Sequence, residues 1–418
     1  MVSVIEKVRS RKKNLSLIID GINFGQVIAL KSYDGRLTST LKELVRLCLF
    51  SNKIEVKGNI DSDCSLFYSL KNANRSDYNE IISMFLKFNS NFKYIELLHE
   101  KSFENIFIKL FLLLKNTIKF GIYRIENPFL TAILVSNYML LKKKIDDSNL
   151  FTNMELMVTF CDAYPPDNLI TQMSKLVEKK SITLQHGQYR VLSEGNEIAD
   201  AEAYENFISD YMFVWGQATV DEFLKYGTDN SRLLKAGALR SFSFNKPIQI
   251  DTLKKAFGVI LCGESYRSTN IQMIKLANEF ALKHGIPYYL RFHPKNPIDY
   301  YMSFTQKQYV CGQLIRMNND DYAKLVDFSL IHMTGVFVEL LSINSPIVIF
   351  HDDYLEDVFK IEQYCIKNEL EMSTFYNLLL KDAKSVREDQ YLKYHYFNES
   401  PEDIEKKYKF LILTIMEK

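Results

Sequence analysis

A short segment in the C-terminal half of the sequence places an imidazole beside two cations at the end of a strand. Residues 290–295 read as an apolar strand that ends in His293-Pro294, flanked by Arg291 and Lys295. An imidazole N–H and nearby cations can bind phosphate oxygens, and the proline restricts the backbone after the histidine. The alternative is a histidine that caps the strand by bonding a neighbouring carbonyl group. The segment therefore predicts either a phosphate contact or a structural cap.

A second segment in the same half predicts the complementary contacts. Thr334-Gly335 ends a strand and opens a helix, where backbone N–H groups and the helix dipole favour a phosphate. Thr334 is also a good helix N-cap without any ligand. Glu339 lies one turn into this otherwise apolar helix, where its carboxylate suits the two hydroxyls of a ribose; the alternative is a solvent-facing side chain. Together the two strand ends favour a transferase that uses a nucleotide.

Parallel sheets bind ligands at the carboxyl ends of their strands, so the other strand ends supply further candidates. In the C-terminal half, Gly263-Glu264-Ser265 follows a predicted strand and joins the nucleotide-binding set. In the N-terminal half, His186 follows another strand. Because neutral imidazole can take a proton from a hydroxyl near neutral pH, His186 is a candidate general base.

Asp162, at the end of an earlier strand and before two prolines, is the rival base, and the alternative is a carboxylate that caps a turn. Gln185, Gln188 and Glu194 surround His186 in the sequence and are predicted to contact the acceptor. The pair Asp352-Asp353 is interpreted as solvated loop charge.

Composition limits the classes of function. The chain has 418 residues and a net charge of +1, which argues against bulk binding of nucleic acid. Its 6 cysteines form no Cys-x-x-Cys pair, so reduced thiols are expected and a zinc knuckle is not. With no metal-ligand cluster and no Gly-x-Gly-x-x-Gly motif, we expect neither a metal nor a bound cofactor, the nucleotide being a substrate.

No secretory signal opens the sequence, and its longest apolar stretch, residues 129–141, is too short to span a bilayer. A cytoplasmic protein is therefore expected. Basic residues cluster at 7–13 and 142–144. Both clusters are compatible with peripheral contact with the inner membrane surface. The alternative is that residues 7–13 are a solvated terminus and that residues 142–144 place favourable positive charge at the C-terminus of a helix. The sequence leaves the oligomeric state open.

Strands and helices alternate along most of the chain, which predicts an α/β protein with doubly wound parallel sheets. The polar stretch 241–252 is a predicted linker. The resulting domains are 1–242 on the acceptor side, 253–395 on the nucleotide side, and a closing helix within 396–418. Apolar residues at helical spacing also predict a helix over 102–119, whose buried face comprises Phe103, Ile106, Phe107, Leu110, Leu113, Leu114 and Ile118.

Several of these segments resemble bacterial glycosyltransferases of the GT-B fold that build surface polysaccharides. Residues 184–189, 213–216 and 236–237 are similar to their N-terminal half. Residues 292–294 and 334–346 are similar to their nucleotide-binding half. The likeness is to sialyltransferase-like and Kdo-transferase-like enzymes, and partly to CDP-glycerol-type polyol-phosphate transferases. The acidic-acidic-Gly motif of the former and the Asp-Tyr-Ser-Ser run of the latter are absent from the sequence.

The resemblance implies two Rossmann-like domains facing a central cleft. It implies that His293 and Thr334 bind donor phosphate, that Glu339 binds the ribose and that His186 is the base. The predicted function is transfer of a sugar from a nucleotide-activated donor to a hydroxyl of a surface glycan, such as capsule or lipo-oligosaccharide. The alternatives are a polyol-phosphate transferase and a non-catalytic GT-B-like partner subunit, and a nucleotide epimerase is also compatible with the fold.

Overall fold

A computed structural model shows two compact units. Unit 1 comprises 1–240 and 402–418, and unit 2 comprises 241–401. The structure describes residues 4–15, 17–32, 36–70, 75–102, 106–125, 127–188, 205–244, 253, 255–294, 296–314, 317–332, 334–352 and 362–417. Most of the predicted linker, together with Glu194 and Lys295, lies outside these residues.

Unit 1 is built around a seven-stranded sheet, preceded by a small two-stranded one. The small sheet pairs β1 (Ile18–Ile19) antiparallel with β2 (Ile22–Asn23). The strands of the large sheet are β3 (Phe50–Gly58), β4 (Cys64–Tyr68), β5 (Lys93–Lys101), β6 (Leu156–Thr159), β7 (Lys180–Leu184), β8 (Tyr211–Val214) and β9 (Leu233–Lys235). Their order is β3-β5-β4-β6-β7-β8-β9, and β3 is antiparallel to β5 while the other pairs are parallel.

The helices of unit 1 cover both faces of this sheet. They are α1 (Val4–Asn14), α2 (Phe24–Ser32), α3 (Leu37–Leu49), α4 (Ser76–Phe88), α5 (Ile106–Ile122), α6 (Pro128–Asp147), α7 (Pro165–Leu176) and α8 (Gln217–Lys225). Pro128 and Pro165 each stand at the first turn of a helix, where the missing N–H costs nothing.

Unit 2 contains a six-stranded, all-parallel sheet. Its strands are β10 (Phe257–Ile260), β11 (Tyr288–Arg291), β12 (Val310–Leu314), β13 (Ser329–Ile331), β14 (Ile347–Phe350) and β15 (Cys365–Ile366). The strand order is β12-β11-β10-β13-β14-β15. From β10, successive strands of the chain are added first on one side and then, starting with β13, on the other side, although all strands stay parallel. This is the strand order of the dinucleotide-binding Rossmann fold, whose ligands bind outside the carboxyl ends at that change of side.

The helices of unit 2 alternate with its strands. They are α9 (Arg267–His284), α10 (Ile298–Met302), α11 (Asn319–Ala323), α12 (Val336–Ser342), α13 (Glu369–Lys381) and α14 (Ala383–Phe397). The last helix, α15 (Pro401–Glu417), belongs to unit 1 from Glu402 onward.

The sheet of unit 1 packs a separate apolar cluster on each face. Along β4, Leu66 and Tyr68 join one cluster and Phe67 joins the other, because successive side chains of a strand point to opposite faces. The first cluster also receives one side of α15, through Ile404, Tyr408, Ile412 and Ile415. The chain thus returns from unit 2 to complete the core of unit 1.

Gly258 in β10 is required because the Tyr322 side chain crosses directly over it. A Cβ at Gly258 would lie 1.7 Å from the Tyr322 hydroxyl. Tyr322 is fully buried and its hydroxyl shares a 3.0 Å hydrogen bond with Ser329. We expect Gly258→Ala to lower the free energy of unfolding by about 2–4 kcal/mol, since the ring must leave a packed site. Urea denaturation would measure this loss.

The matched control is Gly312→Ala in β12, where the nearest atoms, in the Tyr289 ring, lie 3.5 Å from the added Cβ. That distance is an ordinary van der Waals contact, so little change is expected. Equal losses in the two variants would contradict the close approach of Tyr322 to β10.

The sequence prediction for α5 is correct about the helix and only partly correct about its buried face. The side chains that pack inside unit 1 are Lys109, Leu113, Asn116 and Phe120. Of the residues predicted to be buried, Leu113 is buried, whereas Phe107, Leu110, Leu114 and Ile118 are exposed. Apolar residues occupy both sides of this helix, so periodicity alone does not separate the buried side from the exposed one. No helix within the described ranges is long and apolar enough to cross a bilayer.

Candidate functional site

Two asparagines hold the loop after β10 against the loop after β11. Asn270 of α9 accepts a hydrogen bond from the Cys262 N–H (2.8 Å) and donates to the Cys262 carbonyl (2.9 Å). Asn296 donates to the same carbonyl at 3.0 Å, and its N–H donates to the carbonyl of His293 at 2.9 Å. These bonds fix the main chain before Gly263 and the turn that carries His293.

The His293 side chain is exposed and lies against the main chain of Gly263. A Cβ built on Gly263 would be 3.9 Å from Cε1 and Nδ1 of His293. The carboxylate of Glu264 follows directly, and its pKa is lowered, mainly by the hydrogen bond from Arg267 and also by the charge of His293. The structure therefore brings together three predicted nucleotide-binding residues at the carboxyl edge of the sheet.

Arg267 is a cation at this edge that the sequence analysis missed. Its Nε donates to Glu264 at 3.1 Å, and its guanidinium lies 5.0 Å from the centre of the Tyr300 ring. Tyr301 donates to the other oxygen of Glu264 at 2.8 Å. Arg267 is the first residue of α9, an 18-residue helix whose positive dipole end favours anions. The available signal was a basic residue just after a Gly-containing strand end.

Arg291 and Glu339 are joined through a residue that the sequence analysis did not name. Arg291 donates to the side chain of Asn319 and, at 3.0 Å, to the carbonyl of Met317. Asn319 in turn donates to the Glu339 carboxylate. Burial lowers the pKa of the Arg291 guanidinium. The chain of contacts positions Glu339 on α12, and its role toward a ribose stays a prediction.

The other predicted nucleotide-binding residues lie in the segments before α12 and α9 and in the loop after β11. Thr334 and Gly335 precede α12, with Gly335 at the N-cap position and the Thr334 hydroxyl accepting from the Val336 N–H at 3.4 Å. Ser265 lies in the short turn before α9 and is exposed, as is Pro294.

A buried group of polar side chains lies at the ends of β13 and β14, and the sequence analysis did not predict it. His332 Nε2 lies 3.1 Å from Asp352 Oδ1, and both side chains are almost inaccessible to solvent. Thr269 of α9 donates to the other oxygen of Asp352 at 2.7 Å. The interpretation of Asp352 as a solvated loop charge is therefore wrong, because the strand end carries it into the interior.

In unit 1, Gln185 connects the ends of β7 and β8. Its side-chain oxygen accepts from the Trp215 N–H at 2.6 Å, and its main-chain oxygen accepts from the Trp215 ring at 3.1 Å. Its side-chain nitrogen donates to the Gly187 carbonyl at 2.7 Å. These bonds hold the segment on either side of His186, and contact of Gln185 with an acceptor stays a prediction.

The imidazole of His186 is buried among three aromatic rings. Its centre lies 5.0 Å from the ring of Phe160, 5.4 Å from that of Tyr78 and 5.8 Å from that of Tyr164. Burial, and secondarily the charge of Arg75, lowers the pKa of His186 to about 4. The imidazole is therefore neutral at physiological pH, which is the form a general base requires.

Arg75 is a second cation that the sequence analysis missed. It forms a two-pronged ion pair with Asp77, with distances of 2.8 and 2.6 Å, and lies 4.2 Å over the ring of Tyr78. The pair raises the pKa of Arg75 and lowers that of Asp77, although burial opposes both shifts. A fixed charge pair thus lies close to the His186 imidazole.

Asp162 is buried, and its carboxylate accepts hydrogen bonds from two backbone N–H groups of the segment before β8. The distances are 2.9 Å to Ile208 and 2.6 Å to Ser209. Burial raises the pKa of Asp162 in spite of these bonds. The contacts are those of a carboxylate that anchors a loop, and proton transfer by Asp162 stays a prediction. Gln188 is also buried.

A third carboxylate, Asp167, lies near the direction change of the unit 1 sheet between β4 and β6. It accepts from the hydroxyl of Ser69, which follows β4, and from the Cys161 N–H at 3.3 Å, which follows β6. Burial is the main cause that raises the pKa of Asp167 to about 7. Ser69 also lines a cavity of about 220 Å³. Asp167 is not among the predicted site residues, because β4 is not among the predicted strands.

We expect Asp167→Asn to alter how stability depends on pH. Because the folded pKa of Asp167 is raised, its contribution to stability is complete below the unfolded pKa and is lost as pH rises to about 7. The amide removes this loss, so at pH 8 the variant should match or exceed the wild type, by up to roughly 2–4 kcal/mol. Urea denaturation at pH 5 and pH 8 would measure the difference.

Asp210→Asn is the control with the opposite sign. Burial opposes ionisation of Asp210, but bonds from Lys175 and Ser181 leave its pKa lowered. The variant should therefore lose stability above the unfolded pKa. A wild-type pH slope that Asp167→Asn leaves unchanged would contradict the neutral carboxyl at this position.

Comparison with solved structures gives the fold. The chain is similar to a UDP-GlcNAc 2-epimerase from Neisseria meningitidis bound to UDP-GlcNAc, with 10% identity and a TM-score of 0.51 over 85% of this chain and 100% of that one. It is similar to an S. aureus MnaA–UDP co-structure at 12% identity and a TM-score of 0.51, over 85% and 98%. These proteins have two Rossmann-like domains. The chain has the GT-B fold.

The GT-B likeness is one of fold, and it confirms the predicted fold class. No protein-family model matches the sequence, and no curated protein matches it. Within the residues that the structure describes, no three His, Cys, Asp or Glu side chains are grouped to hold a metal ion. The chain has two sets of candidate residues. One set lies at the carboxyl edge of the unit 1 sheet, and the other lies at the carboxyl edge of the unit 2 sheet.

Proposed function

We propose that this GT-B protein is a glycosyltransferase that moves a sugar from a nucleotide-activated donor to a hydroxyl of a bacterial surface glycan. One observation carries the proposal. In unit 2 an exposed histidine, His293, lies beside Gly263, and a cation, Arg267, is bonded to the adjacent Glu264, at the carboxyl edge of a sheet with the Rossmann strand order. Open parallel sheets bind nucleotides at such edges, so this arrangement suits a donor pyrophosphate.

In the proposed donor site, His293 and Arg267 contact the charged oxygens, and Gly263 leaves room for them. Glu264 is already bound to Arg267 and Tyr301, so its role is to position the guanidinium. As the bond between the sugar and the phosphate breaks, the departing nucleotide gains negative charge on its phosphate, and fixed donors there stabilise the transition state. Glu339 is proposed as the ribose contact.

In the proposed acceptor domain, His186 takes the proton from the attacking hydroxyl. Its neutral form is present at physiological pH, and burial, which lowers its pKa to about 4, also makes it a weaker proton acceptor than an ordinary histidine. Asp162 is held by two backbone N–H groups, which makes it the weaker candidate for the base. Gln188 and Glu194 stay proposed acceptor contacts.

The second candidate is a nucleotide-sugar epimerase. It is favoured by the fold comparison, because both similar solved structures are described with UDP-GlcNAc or UDP bound, and the first is a UDP-GlcNAc 2-epimerase. An epimerase inverts one stereocentre of its sugar substrate and needs no acceptor, whereas a transferase needs an acceptor. A polyol-phosphate transferase would form a phosphodiester bond, and a non-catalytic subunit would form no product.

A thermal-shift panel tests the donor proposal directly. UDP, CMP, CDP and GDP, each with their sugar conjugates, are added to the full chain. A ligand at 100 times its Kd stabilises the folded protein by about 2.7 kcal/mol, which raises the melting temperature measurably. The nucleotide sugar that binds is then incubated with and without glycan acceptors. Failure of every nucleotide to shift the melting temperature would argue for the non-catalytic alternative.

A further inference from the structure

Helix α5 is apolar on two opposite sides. One side, which includes Leu113 and Phe120, is buried in unit 1. The opposite side exposes a row of large apolar side chains along the whole helix: Phe107, Phe111, Leu114, Ile118 and Ile122. The spacing of three to four residues keeps this row in one stripe. A helix with apolar residues all round is normally covered on all sides, so the exposed stripe indicates a partner.

Helix α3 carries a second row of exposed apolar side chains. It contacts α5, and its own exposed side carries Leu37, Leu41, Val45 and Leu49. We call the two exposed rows together the α5–α3 face. The face comprises nine exposed apolar side chains on two helices that contact each other, whereas single exposed apolar residues are common on any protein surface.

The charges of the α5–α3 face are almost all positive. Within α5 the only charged residues are Lys109, Lys115 and Lys119, and the sequence of this helix contains no Asp or Glu. Lys115 and Lys119 are exposed beside the apolar stripe, and Arg124 follows the end of the helix. The one carboxylate of α3, Glu43, is partly buried and pairs with Lys31 at 3.2 Å. The face is therefore complementary to an apolar surface that carries negative charge.

The cations at the sequence positions 7–13 and 142–144 are less suited to this role. Arg9 and Lys12 both pair with Glu205, at 2.9 and 3.4 Å, and Lys142 pairs with Asp146 at 2.8 Å. Their charges are partly neutralised within unit 1. The α5–α3 face combines exposed cations with a large apolar area, as interfacial helices do.

We infer that the α5–α3 face docks on the surface of an anionic lipid bilayer. The apolar stripe enters the headgroup boundary while the lysines contact lipid phosphates. A second copy of this chain fits less well, because two such faces would bring Lys115 and Lys119 of each copy together with no carboxylate in α5 to pair with them. The inference does not depend on the transferase assignment.

The test is sedimentation of the full chain with vesicles. Vesicles of equal parts phosphatidylglycerol and phosphatidylcholine should bind it, and phosphatidylcholine alone should bind it weakly. We expect Phe111→Ser with Leu114→Ser to weaken binding by at least about tenfold, because both side chains lose apolar contact with the lipid. Lys115→Gln with Lys119→Gln should weaken it by about 25-fold, and only on anionic vesicles, at about fivefold per lost cation.

The chain offers a closely matched control on α15. Phe410 and Leu413 have the same spacing as Phe111 and Leu114, and their exposures of 67% and 60% match 65% and 61%. Phe410→Ser with Leu413→Ser should leave vesicle binding unchanged. All variants alter exposed side chains, so unchanged melting temperatures are expected.

Several results would overturn the inference. These are absence of vesicle binding, equal loss in the α15 control, or a dimer in sedimentation velocity that the α5 substitutions abolish while vesicles do not bind. The last result would identify a second copy as the occupant of the face. The vesicle assay contains no nucleotide, so its outcome is separate from the thermal-shift test of donor binding.

Discussion

Replacing His293 with alanine is expected to weaken donor binding by about 10- to 100-fold while leaving the protein folded, since a hydrogen bond to a charged group contributes about 1.5–3 kcal/mol. The side chain is exposed and lies beside Gly263, so its removal leaves no internal cavity. The measurement is isothermal titration with the nucleotide identified by thermal shift. Turnover should fall as well, because phosphate contacts strengthen as the leaving group gains charge.

A suitable control for His293→Ala is His395→Ala on α14. His395 is also exposed in unit 2, but it lies on a helix and not at a strand end, and its ring meets that of Tyr391 edge-on, with 5.6 Å between the ring centres. This variant should bind donor like the wild type. If His293→Ala kept normal donor affinity and normal turnover, His293 would be a structural cap and the donor site would lie elsewhere.

Replacing His186 with phenylalanine is expected to reduce kcat by about 10²–10⁴-fold, the range for loss of a general base. The imidazole of His186 is packed among the rings of Phe160, Tyr78 and Tyr164. Phenylalanine is chosen because its ring fills this space, whereas alanine would leave a cavity. The donor Kd should not change, since the proposed donor contacts all belong to unit 2. A melting temperature close to that of the wild type would show that the packing is kept.

Asp167, a buried carboxyl whose pKa is raised to about 7, is a further candidate for the base, and the pH profile of the wild type distinguishes it from His186. If His186 with a pKa of about 4 is the base, kcat should already be constant above about pH 5. If Asp167 with a pKa of about 7 takes the proton, kcat should rise through neutral pH. A rise through neutral pH that disappears in Asp167→Asn, with His186→Phe still active, would reject His186 as the base.

The two substitutions are expected to change different quantities. His293→Ala acts mainly on the affinity for the nucleotide, and His186→Phe acts on the rate once the donor is bound. An epimerase would respond differently, since its substrate and product share one site and no acceptor is needed. When the two variants are incubated with the nucleotide sugar and without acceptor, an epimerised sugar can form only if the protein is an epimerase. Product analysis under this condition therefore separates the candidate functions.

The strand–helix alternation was predictable because each buried strand and each amphipathic helix has its own local period. The predicted strand before His293 and the helix predicted over 102–119 are both present, as β11 (Tyr288–Arg291) and α5 (Ile106–Ile122). The central strand β4 escaped prediction. Its five buried residues, Cys64–Tyr68, follow a polar loop and are too few to show a period. With β4 unseen, the contact between Ser69 and Asp167 could not be predicted.

The sequence by itself determined which residues stand at strand ends, because periodicity and breaker residues locate those ends. It therefore named His293, Gly263 and His186 correctly as strand-end residues. Which strand ends are neighbours depends on strand order, a non-local property, so only the tertiary structure joined Arg267 to Glu264 and His332 to Asp352. The same holds for α5: its period predicts a helix with an apolar side, but only packing against α6 decides which apolar side is buried and which is exposed.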